Sequence, residues 1–243
     1  DDEDDEVEPP RNFTLSQLHE NDGTKVLRKG KPSDEYKPIY ISLCHTVYNV
    51  SSARDEYGPG GMYEAYAGHE CALSVGKMSF DGEYIDSEEF ESLLSESEKH
   101  ELQRLIDRFE RSPDKYPVLG RLVPKCLLPF PERIVTQDEL LSRDGHNQSI
   151  PEGYAAAPIY VAIGGKVFDT SFGGVELYTP PDGAYSRFSG KDVSRALATM
   201  SFDDVGNTDI SDLTEKQLKT MNDWVNNFET KRHYPVVGRL EQN

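Results

Sequence analysis

Lys115-Tyr116-Pro117-Val118-Leu119-Gly120-Arg121-Leu122 returns later in the chain as His233-Tyr234-Pro235-Val236-Val237-Gly238-Arg239-Leu240. Working outward from this pair, Met78-Ser79-Phe80-Asp81 returns as Met200-Ser201-Phe202-Asp203, and Pro38-Ile39-Tyr40 as Pro158-Ile159-Tyr160. The matches keep their order with small shifts in spacing, so the chain is an internal duplication. Its period is far longer than the roughly 20–50 residues of solenoid units. A length of 243 residues suits two compact domains of ordinary size. The repeat divides the chain into an acidic N-terminal tail (1–12), domain one (13–122), a proline-rich connector (123–133) and domain two (134–243).

Each repeat carries the same sequence of local signals. Ile159-Tyr160-Val161-Ala162-Ile163 and Lys166-Val167-Phe168-Asp169-Thr170 flank Gly164-Gly165, two β-rich runs around a two-residue glycine turn. Repeat one keeps the runs but places Cys44-His45 at the turn, which makes His45 a turn residue rather than a metal ligand. A loop rich in glycine, proline and tyrosine follows, then a short helical segment in which Gly68 to Val75 matches Gly190 to Leu197 at constant spacing. Thr214 with Gln217, and Ser95 with Glu98, form capping boxes that open the longest helices. Leu218, Met221, Trp224, Val225 and Phe228 share one helix face, as do Leu102, Leu105, Ile106 and Phe109, and such stripes predict core. The connector Val123-Pro124-Lys125-Cys126-Leu127-Leu128-Pro129-Phe130-Pro131 is too apolar for a floppy linker and is expected to lie extended, holding the halves in a fixed relation. The fold class is therefore α+β, with two similar units in tandem.

Composition narrows the partners. Hydrophobic residues make up 36% and aromatic residues 10%, enough for a core in each half. A formal charge of −18 argues against nucleic acid and anionic membrane surfaces as main partners. Part of it sits in Asp1-Asp2-Glu3-Asp4-Asp5-Glu6, which reads as a solvated tail. No apolar run approaches the roughly 18 residues of a spanning helix. Because the chain opens on Asp1, membrane attachment is expected only through a segment outside it. Cys44, Cys71 and Cys126 cannot all pair and suggest no disulfide framework or zinc knuckle. Asn12-Phe13-Thr14, Asn49-Val50-Ser51 and Asn147-Gln148-Ser149 match the glycosylation acceptor pattern and leave a luminal or secreted location open.

No serine-hydrolase elbow, zinc-protease helix, phosphate-binding loop or dinucleotide fingerprint is present, so no enzyme is indicated. The six histidines do not recur between repeats. Tyrosine does. Tyr57-Gly58-Pro59-Gly60-Gly61-Met62-Tyr63 answers Tyr178-Thr179-Pro180-Pro181-Asp182-Gly183-Ala184-Tyr185, and Tyr116 and Tyr234 close the two units.

These loops, with Gly165-Lys166-Val167-Phe168-Asp169, the run Gly190 to Thr199, Asp209-Ile210-Ser211-Asp212-Leu213-Thr214, Trp224 and the terminal Tyr-Pro-Val-Val-Gly, resemble the membrane-associated progesterone receptor family. That family is a branch of the cytochrome-b5-like haem/steroid-binding fold, here in tandem duplicate. The match covers most of repeat two and, more weakly, repeat one. The acidic, proline-containing lead-in before Phe13 is similar to the family's stretch between membrane anchor and domain.

Bis-histidine cytochromes b5 begin their first ligand turn with His-Pro-Gly-Gly. Here it reads Gly58-Pro59-Gly60-Gly61, and repeat two has Thr179-Pro180-Pro181-Asp182-Gly183, so the resemblance does not imply that ligation. His69 falls where relatives vary and is not taken as a replacement ligand. The resemblance implies tyrosine ligation of ferric haem b instead, with Tyr63 and Tyr185 as iron ligands. Tyr57 and Tyr178 match a neighbour that hydrogen-bonds the ligand oxygen. Lys115 and Tyr116 match a pair on the porphyrin's propionate side, with Tyr234 the counterpart of Tyr116. Repeat one keeps Tyr57, Tyr63, Lys115 and Tyr116, whereas repeat two has an extra residue between its tyrosines and His233 in place of the lysine. The implied role is a non-enzymatic haem-binding adaptor or haem carrier associated with the endoplasmic reticulum membrane. Haem-thiolate monooxygenases, sterol-metabolising enzymes or subunits of a larger membrane complex are the implied partners. The alternative is a haem-free structural or interaction subunit built on the same tandem fold.

Overall fold

The computed structural model describes residues 9–28, 30–146 and 148–241, so the acidic run 1–6 and Asn147 lie outside the described residues. The chain divides into two compact units, one formed by 13–124 and the other by 1–12 with 125–243.

In the first unit, Tyr40–Leu43 and Thr46–Asn49 form an antiparallel hairpin, and Val118–Leu122 pairs antiparallel with its second strand. Phe13 adds to this sheet by accepting the amide of Val123 at 2.9 Å. The turn residues Cys44 and His45 have φ of 50° and 63°, the left-handed geometry that a two-residue hairpin demands. Around the sheet lie the helices Leu15–His19, Arg54–Tyr57, Ala72–Lys77, Phe90–Leu93 and Glu96–Glu110. Thr14 and Gln17 close a capping box on the first of these. Ser95 donates its amide to Glu98 at 2.8 Å on the last. A second hairpin, Lys25–Arg28 with Lys31–Tyr36, stands on the surface; Lys25 and Arg54 both lie over the Tyr36 ring. Ile39, Ile41, Tyr48, Val50, Leu73, Leu102 and Phe109 meet in the core.

The second unit repeats the plan. Tyr160–Ile163 and Lys166–Asp169 form the hairpin over Gly164 and Gly165, with φ of 58° and 78°. Val236–Leu240 runs antiparallel to Lys166–Asp169 and parallel to Ile134–Val135, and Lys191–Asp192 runs parallel to Tyr160–Ile163 at the other edge. The last strand of each unit bulges at the same place, between Val236 and Gly238 in one and opposite Val47 and Tyr48 in the other. Helices Gln137–Ser142, Val175–Tyr178, Ser194–Thr199 and Glu215–Thr230 complete it. Thr214 and Gln217 form the predicted capping box.

In both units the tyrosine loop is tied back to the short helix before it. The amide of Tyr63 donates to the Glu56 carbonyl at 2.8 Å, and that of Tyr185 to the Leu177 carbonyl at 2.8 Å. A Cβ on Gly61 would lie 2.5 Å from the Glu56 oxygen, and one on Gly183 would lie 2.5 Å from the Leu177 oxygen. Only glycine allows this approach. The extra residue of repeat two is absorbed inside the loop, where the Gly183 amide meets the Thr179 carbonyl at 3.0 Å, and the anchor is unchanged.

Three sequence-based expectations change. Asn12 is fully buried rather than a surface acceptor. Its Nδ2 donates to the Ala156 carbonyl and Ser171 Oγ, and its Oδ1 accepts the amides of Ala155 and Ala156, so no glycan can reach it in the folded unit. The connector is not extended throughout, because Lys125–Leu127 makes a single 3-10 turn closed by the Leu128 amide on the Lys125 carbonyl. The helix stripes are not wholly core. Leu102, Phe109, Met221 and Phe228 are buried, but Leu105, Trp224 and the edge of Phe228 also face clefts.

Asp169 ends the second hairpin strand fully inside its unit and accepts the amides of Ile159 and Ser171 and the hydroxyl of Ser171. Burial raises its carboxyl to about 6, against the opposing pull of these hydrogen bonds. A folded value above the ordinary 3.8 favours the protonated form. The stability contribution is therefore full below about pH 4 and lost as pH rises through 6, on the order of 3 kcal/mol by pH 7. Repeat one has Asn49 at this place, its Oδ1 accepting the Ser51 amide. Asp169→Asn should flatten the dependence of unfolding free energy on pH between 4 and 7, read by denaturant titration on Trp224 fluorescence. A slope unchanged by the substitution would refute this. Gly61→Ala should destabilise the first unit by about 1–3 kcal/mol through the forced shift of the loop. Gly82→Ala, in open space, should have little effect on the same thermal melt.

Candidate functional site

Among the described residues, each unit presents an apolar cleft walled by its tyrosine loop, the short helix after it and the long helix. In the first unit Tyr57, Tyr63, Tyr66, Phe80, Leu105 and Arg108 are the main lining residues, around a cavity of about 390 Å³. In the second unit Tyr178, Tyr185, Phe188, Phe202, Trp224 and Tyr234 line a cavity of about 240 Å³.

Four aromatic rings form a ladder along each cleft. Tyr57 meets Tyr63 at 5.5 Å between ring centroids, Tyr63 stacks on Tyr66 at 5.9 Å, and Tyr66 meets Phe80 at 5.1 Å. Tyr178, Tyr185, Phe188 and Phe202 follow at 5.8, 5.6 and 5.5 Å. Aromatic pairs at these separations hold one another's orientation beyond simple burial. The order of each ladder is set by the backbone: the anchored loop fixes the second ring and a 3-10 turn after it (Glu64–Tyr66, Ser186–Phe188) fixes the third. The fourth follows a left-handed cap, Met78 at φ 50° or Met200 at φ 56°, which also lines the cleft.

The two tyrosines of each pair differ in environment. Tyr57 is 1% exposed and Tyr178 is 5% exposed, whereas Tyr185 is 37% exposed and Tyr63 is half-buried. Burial pushes the Tyr57 hydroxyl well above the ordinary phenol value, with Arg108 opposing it. Burial does the same to Tyr178, helped by Tyr234 and opposed by Arg232. The inner phenols thus keep their protons, and the outer tyrosine of each pair is the more exposed.

The structure brings Tyr57 and Tyr63 together in one cleft, and Tyr178, Tyr185 and Tyr234 in the other. Lys115 and Tyr116 do not line the first cleft. Tyr116 is buried behind it, stacked on Phe109 at 4.3 Å, and its hydroxyl reaches Arg108 at 3.4 Å. Lys115 lies over the Tyr116 ring and pairs with Glu56 at 3.8 Å. Tyr234 takes the place that Gly174 leaves for it, since a Cβ there would lie 2.8 Å from the Tyr234 hydroxyl.

Sequence reasoning missed the second half of each ladder and the cation of the first cleft. Arg108 pairs with Glu56 at 3.1 Å and lines the wall with Glu101 and Leu105. Positions 101, 105 and 108 share a helix face on which charge brackets one apolar residue, a pattern unlike a core stripe. Phe80 and Phe202 stood in the recurring Met-Ser-Phe-Asp, whose recurrence was the available signal.

Residues 144–240 match the family model described as cytochrome b5-like haem/steroid binding domain. The Arabidopsis thaliana protein named Probable steroid-binding protein 3 is 42% identical over 106 residues, covering 43% of this chain and 95% of that one. A cytochrome P450 regulator of Schizosaccharomyces pombe is 33% identical over 115 residues, 46% of this chain and 63% of that protein. Membrane steroid-binding protein 2 of Oryza sativa is 40% identical over 109 residues, 44% of this chain and 37% of that protein. No helix among the described residues is long and apolar enough to cross a membrane. Matched by this family model, and aligned along nearly the whole of the first of these relatives, the chain belongs to the cytochrome b5-like haem/steroid-binding family, on its membrane-associated progesterone receptor branch.

Proposed function

We propose that the chain is a non-enzymatic haem-binding adaptor or carrier that takes one ferric haem b in the cleft of residues 57–108, with Tyr63 as the iron ligand. On this reading the first unit is a second cytochrome b5-like domain beside the one matched by the family model. The observation that carries the proposal is the paired tyrosine ladder at the same backbone position of both units, built on the fold of a haem/steroid-binding family.

The residues fit the group in two respects. The donor set is chemically suited, because the oxygen of Tyr63 would become a hard anionic donor on binding ferric iron and the buried, protonated Tyr57 ring lies 5.5 Å from its ring. The first cavity, about 390 Å³, falls in the range of roughly 300–1,000 Å³ usual for small-molecule clefts, and its open side lets a planar ligand project. A haem held through the Tyr63 oxygen would gain a hard anionic donor that favours its ferric state. Tyr57 would hold its proton toward the Tyr63 oxygen. Tyr66, Phe80 and Leu105 would exclude water from the ring faces. Arg108 and Lys115, both paired with Glu56, would supply positive charge for propionates.

The second cleft, at about 240 Å³, is below that range, which favours a haem-free structural role for the second unit. The similarity to a cytochrome P450 regulator supports haem-thiolate monooxygenases as partners. The similarity to steroid-binding proteins supports a steroid or other apolar ligand as an alternative occupant. Attachment to the endoplasmic reticulum membrane would come through sequence outside this chain.

Titrating ferric haem into the full chain tests the assignment. One equivalent should bind with a high-spin tyrosinate spectrum, and Tyr63→Phe should weaken binding by about tenfold or more while Tyr185→Phe leaves it unchanged. No Soret shift in the parent chain would sink the reading. Loss in Tyr185→Phe with retention in Tyr63→Phe would move the site to the second unit.

A further inference from the structure

Away from the cleft, the first unit gathers two imidazoles and a carboxylate from three separate segments. His19 ends the helix Leu15–His19, His69 follows the 3-10 turn after the tyrosine loop, and Asp86 stands beyond the next one. Asp86 Oδ2 lies 2.9 Å from His19 Nε2 and 2.8 Å from His69 Nδ1. The three ligand atoms are all within 4.8 Å of one another. The two ring centroids lie 4.7 Å apart, with the ring planes tilted by 53°.

The backbone presents these side chains and holds them. Gly68, at φ 83°, packs so closely on the end of the first helix that a Cβ would lie 3.2 Å from the His19 Cα and from the Leu18 carbonyl. This contact sets His69 beside His19. The His69 carbonyl takes the Ser42 amide at 2.9 Å, fixing the segment to the sheet edge. The other oxygen of Asp86 accepts the Glu70 amide at 2.9 Å, which orients the carboxylate as a supporting shell does in metal sites.

The duplicated unit supplies the comparison. It has the same close approach, with a Cβ on Gly190 lying 3.2 Å from the Leu140 carbonyl and 3.1 Å from that of Leu141. It has the same turn as well, since the Gly206 amide meets the Asp192 carbonyl as that of Asp86 meets Glu70. The positions of His19, His69 and Asp86 are there Leu141, Lys191 and Gly206. Gly206 sits at φ 84°, a conformation natural to glycine, and Asp86 adopts φ 59° at the matching place. The first unit therefore puts a carboxylate, between two histidines, at a backbone position that glycine suits better.

We propose that His19 Nε2, His69 Nδ1 and Asp86 Oδ2 form a binding site for a divalent first-row transition metal ion, with zinc the expected occupant. Two imidazoles and one carboxylate are the borderline donors that zinc accepts, and three protein ligands leave a position for solvent. With bonds of about 2.0–2.2 Å, tetrahedral ligand atoms lie roughly 3.4 Å apart, so the present nitrogen–oxygen gaps need to open by only about half an ångström. The metal takes the place of the two hydrogen bonds that now link the rings to the carboxylate. The side chains of His19, His69 and Asp86 are 42%, 34% and 21% exposed, so the ion enters from solvent without opening the core. The net charge of −18 attracts cations to the surface at large, which makes the choice of variants decisive.

Isothermal titration of Zn²⁺ into the full chain, with Co²⁺ absorption as a second probe, tests the site. The parent should bind one ion, and Asp86→Gly and His69→Gln should each lower the affinity by about tenfold or more. Asp86→Gly is the informative variant, because it removes the ligand while installing the residue that the second unit uses for the same turn. His146→Gln, which disrupts the surface pair with Asp144, and Tyr63→Phe should leave zinc binding unchanged. The proposal is overturned if the parent shows no binding up to about 1 mM Zn²⁺. It is equally overturned if Asp86→Gly and His69→Gln bind as the parent does, or if His146→Gln is the variant that loses the ion.

Discussion

The amide of Tyr63 reaches the Glu56 carbonyl, and that of Tyr185 the Leu177 carbonyl, across a glycine with no room for a methyl group. Much of each unit's working surface follows from this bond. It folds the loop against the short helix, which turns one tyrosine inward and leaves the other at the rim. The 3-10 turn that follows then stacks the third ring, and the fourth comes from the segment beyond the next helix. The cleft is thus a product of backbone closure, and its aromatic wall inherits its order from the chain.

Duplication makes the second function of each position visible. Where both units keep a residue type, as with the two tyrosine pairs or the methionines at the left-handed caps, the shared fold accounts for it. Where they part, side-chain chemistry has been added or removed on a common frame. The extra residue near Tyr185 looked in the sequence like damage to the second site, yet the loop absorbs it and keeps the anchor. What separates the clefts instead is volume and the charged residues beside them.

Much of the fold was legible because its signals are local. Gly164-Gly165 between two β-rich runs fixes a hairpin without outside help, and the capping boxes at Ser95 and Thr214 begin helices where the apolar stripes start. Cys44-His45 at the matching turn carried no such signal, and its assignment rested on comparison with the other copy. The ladders were half legible. Tyr57 and Tyr63 are near neighbours in sequence and Tyr66 joins them through the 3-10 turn Glu64–Tyr66, whereas Phe80 joins them only after the helix Ala72–Lys77 has reversed the chain. Arg108 was hidden by its place beside a core stripe; it lines the cleft, while Lys115 lies outside the lining and pairs with the same Glu56. Asn12 shows the limit of a motif: the tripeptide was present, but the fold spends the amide on Ala155, Ala156 and Ser171. His19, His69 and Asp86 come from three segments, and no spacing in the chain predicts their meeting.

The left-handed residues carry one more implication. Among the described residues that are not glycine, Cys44, His45, Met78 and Asp86 adopt this conformation in the first unit, and Met200 and His233 in the second. Each costs on the order of 1 kcal/mol relative to glycine. The cost falls unevenly, and at the hairpin the second unit avoids it with Gly164-Gly165. The first unit has exchanged conformational ease for side chains at these positions. A chain built from two copies of one plan then has one half that keeps glycine where the backbone turns left-handed and another that places cysteine, histidine and aspartate there.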